Sequence, residues 1–220
     1  MELQWIGHAC FSMTAQDGTV VITDPYDGSV GIAMLPLEAD LITISHGHHD
    51  HCEMSQVVGH PTILRGAQAG GAGSVKTRAV MSFHDDAQGR KRGENAIRIF
   101  EIDGLKVVHM GDQGCMPAPE VLEAIRGADV MLIPAGGTYT VDAAGARAIL
   151  EAAKPRCAVP MHVKTAHCGY PIAPVGEFLA CMGAEHAAAQ TRVRKVEDRL
   201  GFAREHIENR ADLPAFRRQL

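Results

Sequence analysis

The chain has 220 residues, 46% of them hydrophobic, and a formal net charge of −5 with histidine neutral. Length and apolar content suffice for one domain, 1–220, with a substantial core, and exclude a chain too polar to fold. The acidic balance excludes a broad electrostatic attraction to nucleic acid or anionic membrane, so an anionic ligand would have to be captured locally.

The first elements read as short strands: Leu3 to Ile6, Ala9 to Met13 and Thr19 to Thr23, with Gln16-Asp17-Gly18 turning the chain between the last two. Leu41-Ile42-Thr43-Ile44-Ser45 is a β-rich apolar run that leads directly into Ser45-His46-Gly47-His48-His49-Asp50-His51, so these histidines are expected on a loop at the end of a buried strand. Further strands are expected at Thr62 to Leu64, Ala79 to Phe83, Ala96 to Phe100, Lys106 to His109, Val130 to Ile133 and Cys157 to Pro160, with a hairpin at Asp103-Gly104. Helices are expected at Pro119 to Arg126, at Val141 to Ala153 with an apolar stripe of Ala144, Ala148 and Ala152, and at Val175 to Cys181. The Gly- and Ala-rich stretch Gly66 to Gly73 reads as a flexible surface loop. Over residues 191–220, Val193, Val196, Leu200 and Ile207 suit one helix face, but Gly201 interrupts it and two short strands fit as well. A strand-rich first half followed by alternating helix and strand implies an α/β fold, an αββα sandwich of two packed mixed sheets flanked by helices.

No secretory leader and no apolar run of membrane-spanning length is visible, which points to a cytoplasmic protein. The six cysteines (Cys10, Cys52, Cys115, Cys157, Cys168 and Cys181) have no C-x-x-C spacing and are expected as reduced thiols. The twelve histidines, by contrast, cluster near aspartates and glycines, which points to metal chemistry.

The arrangement H-x-H-x-D-H carries that signal, because three histidines and an aspartate at fixed positions rarely coincide in a polar surface loop. A tight loop can turn His46 and His48 toward one ion and Asp50 and His51 toward a neighbour, leaving His49 pointing away. Imidazoles with a carboxylate suit Zn²⁺ first, with Mn²⁺ or Fe²⁺ as alternatives. Closing ligands are expected at other strand ends, where His84, Asp112 and His162 stand.

Together these segments resemble the metallo-β-lactamase superfamily, in its branch of small bacterial hydrolases related to the ascorbate-6-phosphate lactonase type. The resemblance runs from Leu3 to about Thr165 and rests on Trp5-Ile6-Gly7-His8-Ala9-Cys10-Phe11, Thr23-Asp24-Pro25-Tyr26, the histidine loop, His84-Asp85-Asp86, His109-Met110-Gly111-Asp112, Pro134 to Asp142 and Pro160-Met161-His162. It implies two divalent ions, the first held by His46, His48 and His84, the second by Asp50, His51 and His162, with Asp112 bridging. The branch often has Leu and His where this chain has Gln113 and Cys115, and an aromatic residue where it has Val163, so the resemblance does not extend to substrate contacts.

Several residues carry weaker readings. His109 is expected to make buried hydrogen bonds beside the site, His60 to lie at a helix end or the surface, and His8 to be a hydrogen-bonded structural histidine. Asp24 either accepts a ring N–H from a ligand histidine or is a turn residue before Pro25. Arg92, Asn95, Tyr139 and Lys164 are candidate contacts for an anionic or polar substrate, with Arg92 alternatively paired to Asp85 or Asp86. Cys52 and Cys115 lack the partners of a catalytic thiol.

The expected activity is metal-dependent hydrolysis of a small ester, lactone, amide or phosphodiester, with Asp50 or a metal-bound water able to protonate the leaving group. The rivals are an iron-dependent oxidoreductase on the same ligands and a non-catalytic metal-binding or regulatory module. A nuclease is disfavoured by the absence of a basic tract. Self-association into a homo-oligomer is left open.

Overall fold

Hydrogen bonding between strands sorts the chain into two main sheets and two separate two-stranded pairs. The computed structural model describes residues 1–183 and, beyond them, only the backbone of short strands. In chain order the elements are β1 (Glu2–Gly7), β2 (Cys10–Thr14), β3 (Val20–Thr23), a 3₁₀ turn at Gly28–Val30, β4 (Leu37–Glu38), β5 (Leu41–Ile44), β6 (Val57–Val58), β7 (Thr62–Arg65), β8 (Gly70–Ala72), β9 (Val75–Phe83), β10 (Glu94–Ile102), β11 (Leu105–His109), α1 (Pro119–Ile125), β12 (Val130–Pro134), α2 (Ala143–Ala153), β13 (Cys157–Met161), α3 (Val175–Met182), β14 (Ala187–Ala188), β15 (Val196–Glu197), β16 (Ala203–Arg204) and β17 (Ala215–Arg217). The expectation over 191–220 lies outside the described residues, apart from the backbone of these last three strands.

The smaller sheet has the order β1-β2-β3-β5-β7 and the larger β14-β17-β13-β12-β11-β10-β9-β8. β5 is buried on both faces, as a parallel interior strand should be. Leu41 packs between the sheets with Met13, Val21, Phe100, Ile102 and Val107, while Ile42 and Ile44 turn to the outer face against Ile22, Tyr26, Val30 and Leu37. The outer face of the larger sheet is covered by α1, α2 and α3, whose Val121, Ile125, Ile149, Leu150 and Phe178 pack onto Ile97, Ile99, Val108 and Met131. The architecture is the αββα sandwich, but the layer over the small sheet is built from the irregular segments 25–40 and 45–58, with a 3₁₀ turn, and not from a long helix.

Two local expectations are corrected. The buried stripe of α2 is Ala146, Ile149, Leu150 and Ala153, not Ala144, Ala148 and Ala152. Burial of two large aliphatic side chains outweighs that of alanine methyls, so Ile149 and Leu150 set the inward face. The helix also begins at Ala143 because the Asp142 carboxylate accepts the Gly145 N–H at 2.8 Å and caps it.

The stretch Gly66 to Gly73 is not a free loop. Gly70–Ala72 forms β8 on β9, and the buried Arg98 of β10 reaches back to donate to the carbonyls of Gly66 and Gln68. A strand side chain thereby takes over backbone acceptors that the loop cannot satisfy within itself. At Asp103-Gly104 both residues have positive φ, 51° and 76°, the hairpin geometry expected for that dipeptide. Among the described residues no disulfide forms, and no helix is long and apolar enough to cross a membrane.

Replacing Arg98 by Ala should lower stability by about 2–4 kcal/mol, since two charge-assisted hydrogen bonds and a large buried side chain are lost together. Arg98→Lys, which lacks the forked donors, should recover less than half of that in urea unfolding.

Candidate metal centre

Strand direction assembles the site. β1, β3 and β5 in the small sheet run one way, and β9, β11, β12 and β13 share a common direction in the large one, because β10 is antiparallel to both its neighbours. Their C-terminal ends deliver His8, Asp24, the loop His46 to His51, His84, Asp112 and His162 to one place.

Asp112 lies at the centre, with its side chain 2% exposed. Its Oδ2 is 3.1 Å from His84 Nε2, 3.3 Å from His162 Nε2 and 3.9 Å from His46 Nε2, and its Oδ1 is 3.2 Å from His51 Nε2. Around it the donors fall into two groups, His46 with His48 and His84, and His8 with Asp50, His51 and His162, the donor atoms in each lying within 4.8 Å of one another. His46 Nε2 and His48 Nδ1 are 3.0 Å apart. The second group is buried except for the partly exposed Asp50, whereas the first reaches solvent through the exposed His48. His49 turns outward, 66% exposed, to Asp27 and Ser29.

Supporting hydrogen bonds orient these rings. Asp24 Oδ1 accepts the Ser45 N–H at 2.8 Å, and Oδ2 accepts the Ser45 hydroxyl at 2.6 Å and the His51 Nδ1–H at 2.9 Å. With its proton given to Asp24, Ser45 Oγ accepts from His46 Nδ1 at 2.9 Å. Both histidines are thereby held as tautomers whose Nε2 lone pair faces Asp112. His109 uses both ring nitrogens, donating from Nε2 to the Ala9 carbonyl at 2.7 Å and accepting the Gly111 N–H at 3.1 Å. It has no lone pair left for an ion.

The residues present fit divalent cations. His51 Nε2 and Asp112 Oδ1 are buried and close, yet neither makes a hydrogen bond among the described residues, and both ring nitrogens of His8 are in the same condition. Buried polar atoms left without partners are costly unless a further group joins them. Burial, reinforced by the neighbouring His51, pushes His46 down to about 3, so the ring is neutral and its lone pair available. Burial opposes ionisation of Asp112, but His162 and His51 hold its carboxyl well below the usual range.

Several expectations for the surroundings change. Asn95 is fully buried and cannot touch substrate: its Oδ1 accepts the Asp112 N–H at 2.9 Å and its Nδ2 donates to the Met110 carbonyl at 2.8 Å. It holds the Asp112 loop. Lys164 is committed to the Tyr170 carbonyl at 2.6 Å. Gln113, also buried, ties Ser82 to the Cys115 carbonyl, and Val163 belongs to the helix-side core, so neither lines the mouth. His8 is not the hydrogen-bonded structural histidine expected, because its ring turns into the cluster, 4.0 Å from that of His162.

Arg92 and Tyr139 do stand at the rim. The Asp85 carboxylate accepts the backbone N–H groups of Ala87, Gly89, Lys91 and Arg92, which folds the loop so that the Arg92 guanidinium reaches the Thr138 carbonyl and lies 5.7 Å from the Tyr139 ring centroid. Asp86 pairs with Lys91 instead. Tyr170, missed in the sequence, completes this edge, its ring 6.0 Å from Tyr139 and 5.7 Å from His8. Nothing local marks it; the loop 165–172 brings it there by folding back over the site. A cleft of about 290 Å³ adjoins His46 and Gly47, lined also by Arg65, Met81 and Glu94. His60 is exposed, and burial raises the Cys52 and Cys115 thiols, which disfavours a reactive thiolate.

Because Asp24 sets the His51 tautomer and Asn95 holds Asp112, Asp24→Asn and Asn95→Ala should each weaken metal affinity by about 10–100-fold in chelator competition while the protein remains folded.

Residues 2–162 match the family described as the Beta-lactamase superfamily domain. The chain is 31% identical over 191 residues to a UPF0173 metal-dependent hydrolase of Thermoplasma acidophilum, covering 75% of this chain and 84% of that one. A relative of the same name from Archaeoglobus fulgidus is 31% identical over 196 residues, with 75% and 84% covered. A crystal structure from Thermotoga maritima, described as a Zn-dependent hydrolase of the metallo-β-lactamase superfamily, superposes with a TM-score of 0.67 at 34% identity, covering 81% of this chain and 84% of that one. With six strand ends converging on histidines and carboxylates, and with these relatives, the chain belongs to the metal-dependent hydrolases of the metallo-β-lactamase superfamily.

Proposed function

We propose that the chain uses two divalent ions, Zn²⁺ first among the candidates, to hydrolyse a small anionic ester, lactone, amide or phosphodiester. The observation that carries this reading is the placement of Asp112 Oδ2, within 3.1 Å of a donor of one group and 3.3 Å of a donor of the other, so that one carboxylate serves both. His46, His48 and His84 would hold the first ion, and Asp50, His51 and His162 the second. When bound, such a pair lowers the pKa of a coordinated water toward about 7 and polarises a carbonyl or phosphoryl oxygen.

The protein's own groups would do the rest. Asp50, its side chain 15% exposed where that of Asp112 is 2%, is the carboxylate through which a proton can pass to a leaving group. Arg92 has no carboxylate partner among the described residues, and its guanidinium at the rim would bind an anionic substituent and orient the substrate. Tyr139 and Tyr170 offer flat apolar surface beside it, and the cleft next to His46 is of a size for a small molecule.

Two measurements test this. Protein purified without added metal should contain close to two ions per chain and turn over members of a panel of lactones, thioesters and bis(4-nitrophenyl) phosphate. His48→Ala should reduce turnover by at least about 100-fold, more than the loss of a supporting partner. Full turnover after chelation, or iron-dependent oxygen consumption in place of hydrolysis, would overturn the assignment. Arg92→Ala should raise KM for anionic substrates about 10-fold with little change in kcat, and leave neutral substrates unaffected.

A further inference from the structure

His8 stands in the second donor group but belongs to neither ligand set of the two-ion reading. It is 2% exposed, it follows β1 directly, and its backbone is left-handed with φ 52°. That conformation is held from two sides, since the His8 carbonyl accepts the His162 N–H at 3.2 Å and the Trp5 Nε1–H at 3.1 Å. A non-glycine residue kept in this region costs free energy, and such strain is retained where the surroundings fix a side chain in one direction. The direction is into the second donor group: His8 Nε2 is 3.3 Å from Asp50 Oδ2, and its ring is 4.0 Å from that of His162 and 5.2 Å from that of His51. Neither ring nitrogen has a hydrogen-bond partner among the described residues, although both are buried.

We infer that His8 is a direct ligand of the second ion, an inference that rests on the two-ion reading. A spacing of 3.3 Å between its Nε2 and a carboxylate oxygen is what two donors on one ion with bonds of about 2.0–2.2 Å would show. The second ion then has five protein donors, from His8, Asp50, His51, His162 and Asp112, while the first has four, from His46, His48, His84 and Asp112. The centre is asymmetric in consequence. The buried side is coordinatively crowded, and the side that reaches solvent through His48 has the position that a substrate oxygen can take.

The test is a crystal structure of the Zn²⁺-loaded wild-type protein together with metal retention by His8→Gly, which keeps the left-handed backbone without strain and supplies no donor. The expected results are a bond of about 2.0–2.1 Å from His8 Nε2 to the second ion, and retention of one ion by His8→Gly under chelator dialysis that leaves two in the wild type. Added imidazole should restore the second ion. His8 Nε2 more than about 3 Å from the ion and hydrogen-bonded to Asp50 would overturn the inference, as would a folded His8→Gly that retains both ions as tightly as the wild type. If the wild type itself binds only one ion, the two-ion reading fails and this inference with it, a result distinguishable from the loss of His8 alone.

Discussion

A carboxylate buried among histidines is the constraint on which the rest of this structure depends. Removing a carboxylate from water costs several kcal/mol unless charge and hydrogen bonds replace the solvent. For Asp112 that replacement comes from four histidines on three different segments, with Asn95 fixing the backbone N–H. Close packing around it leaves no room for a side chain at the preceding residue: a Cβ on Gly111, whose φ is 54°, would meet Asn95 Oδ1 at 2.3 Å and Ser45 Cβ at 2.7 Å. The glycine therefore lets β11 present its aspartate against the histidine loop.

The sandwich exists, in this sense, to aim strand ends. Crossovers covering the larger sheet with α1 and α2 keep β11, β12 and β13 parallel, and the hairpins on either side of β10 return β9 to the same direction. Strands β9, β11 and β13 each contribute one donor just beyond the tip, where the sheet has ended and the backbone is free to bend, while the strands behind supply rigidity. The rim that carries Arg92, Tyr139 and Tyr170 is made differently, from the loops at 85–92, 138–140 and 165–172, so it can change without disturbing the donors at the strand ends.

How much was legible in the sequence follows from this division. The histidine loop could be read because its donors are adjacent in the chain and follow an unmistakable apolar strand. His84, Asp112 and His162 could be found as ligand-type residues just beyond strand ends, and the resemblance ordered them. Asn95 was misread because a polar residue three positions after Arg92 looks like substrate chemistry, and only the pairing of β9 with β10 shows it turned toward the Asp112 loop. Tyr170 gave no signal at all, since its place depends on a loop with no periodicity. The α2 stripe failed for a plainer reason, in that alanine spacing was weighed above the two residues with the most apolar surface.

His8, Asp24 and His162 share a left-handed backbone, with φ of 52°, 39° and 52°. Apart from glycine, asparagine is among the residues that enter this region most readily. The genetic code places asparagine one nucleotide from both histidine and aspartate. At each of these positions a single base change can therefore preserve the chain's path while removing an imidazole or a carboxylate from the centre. Folded descendants with an altered donor set lie one mutational step from this enzyme, and in such lineages the backbone would outlast the donors.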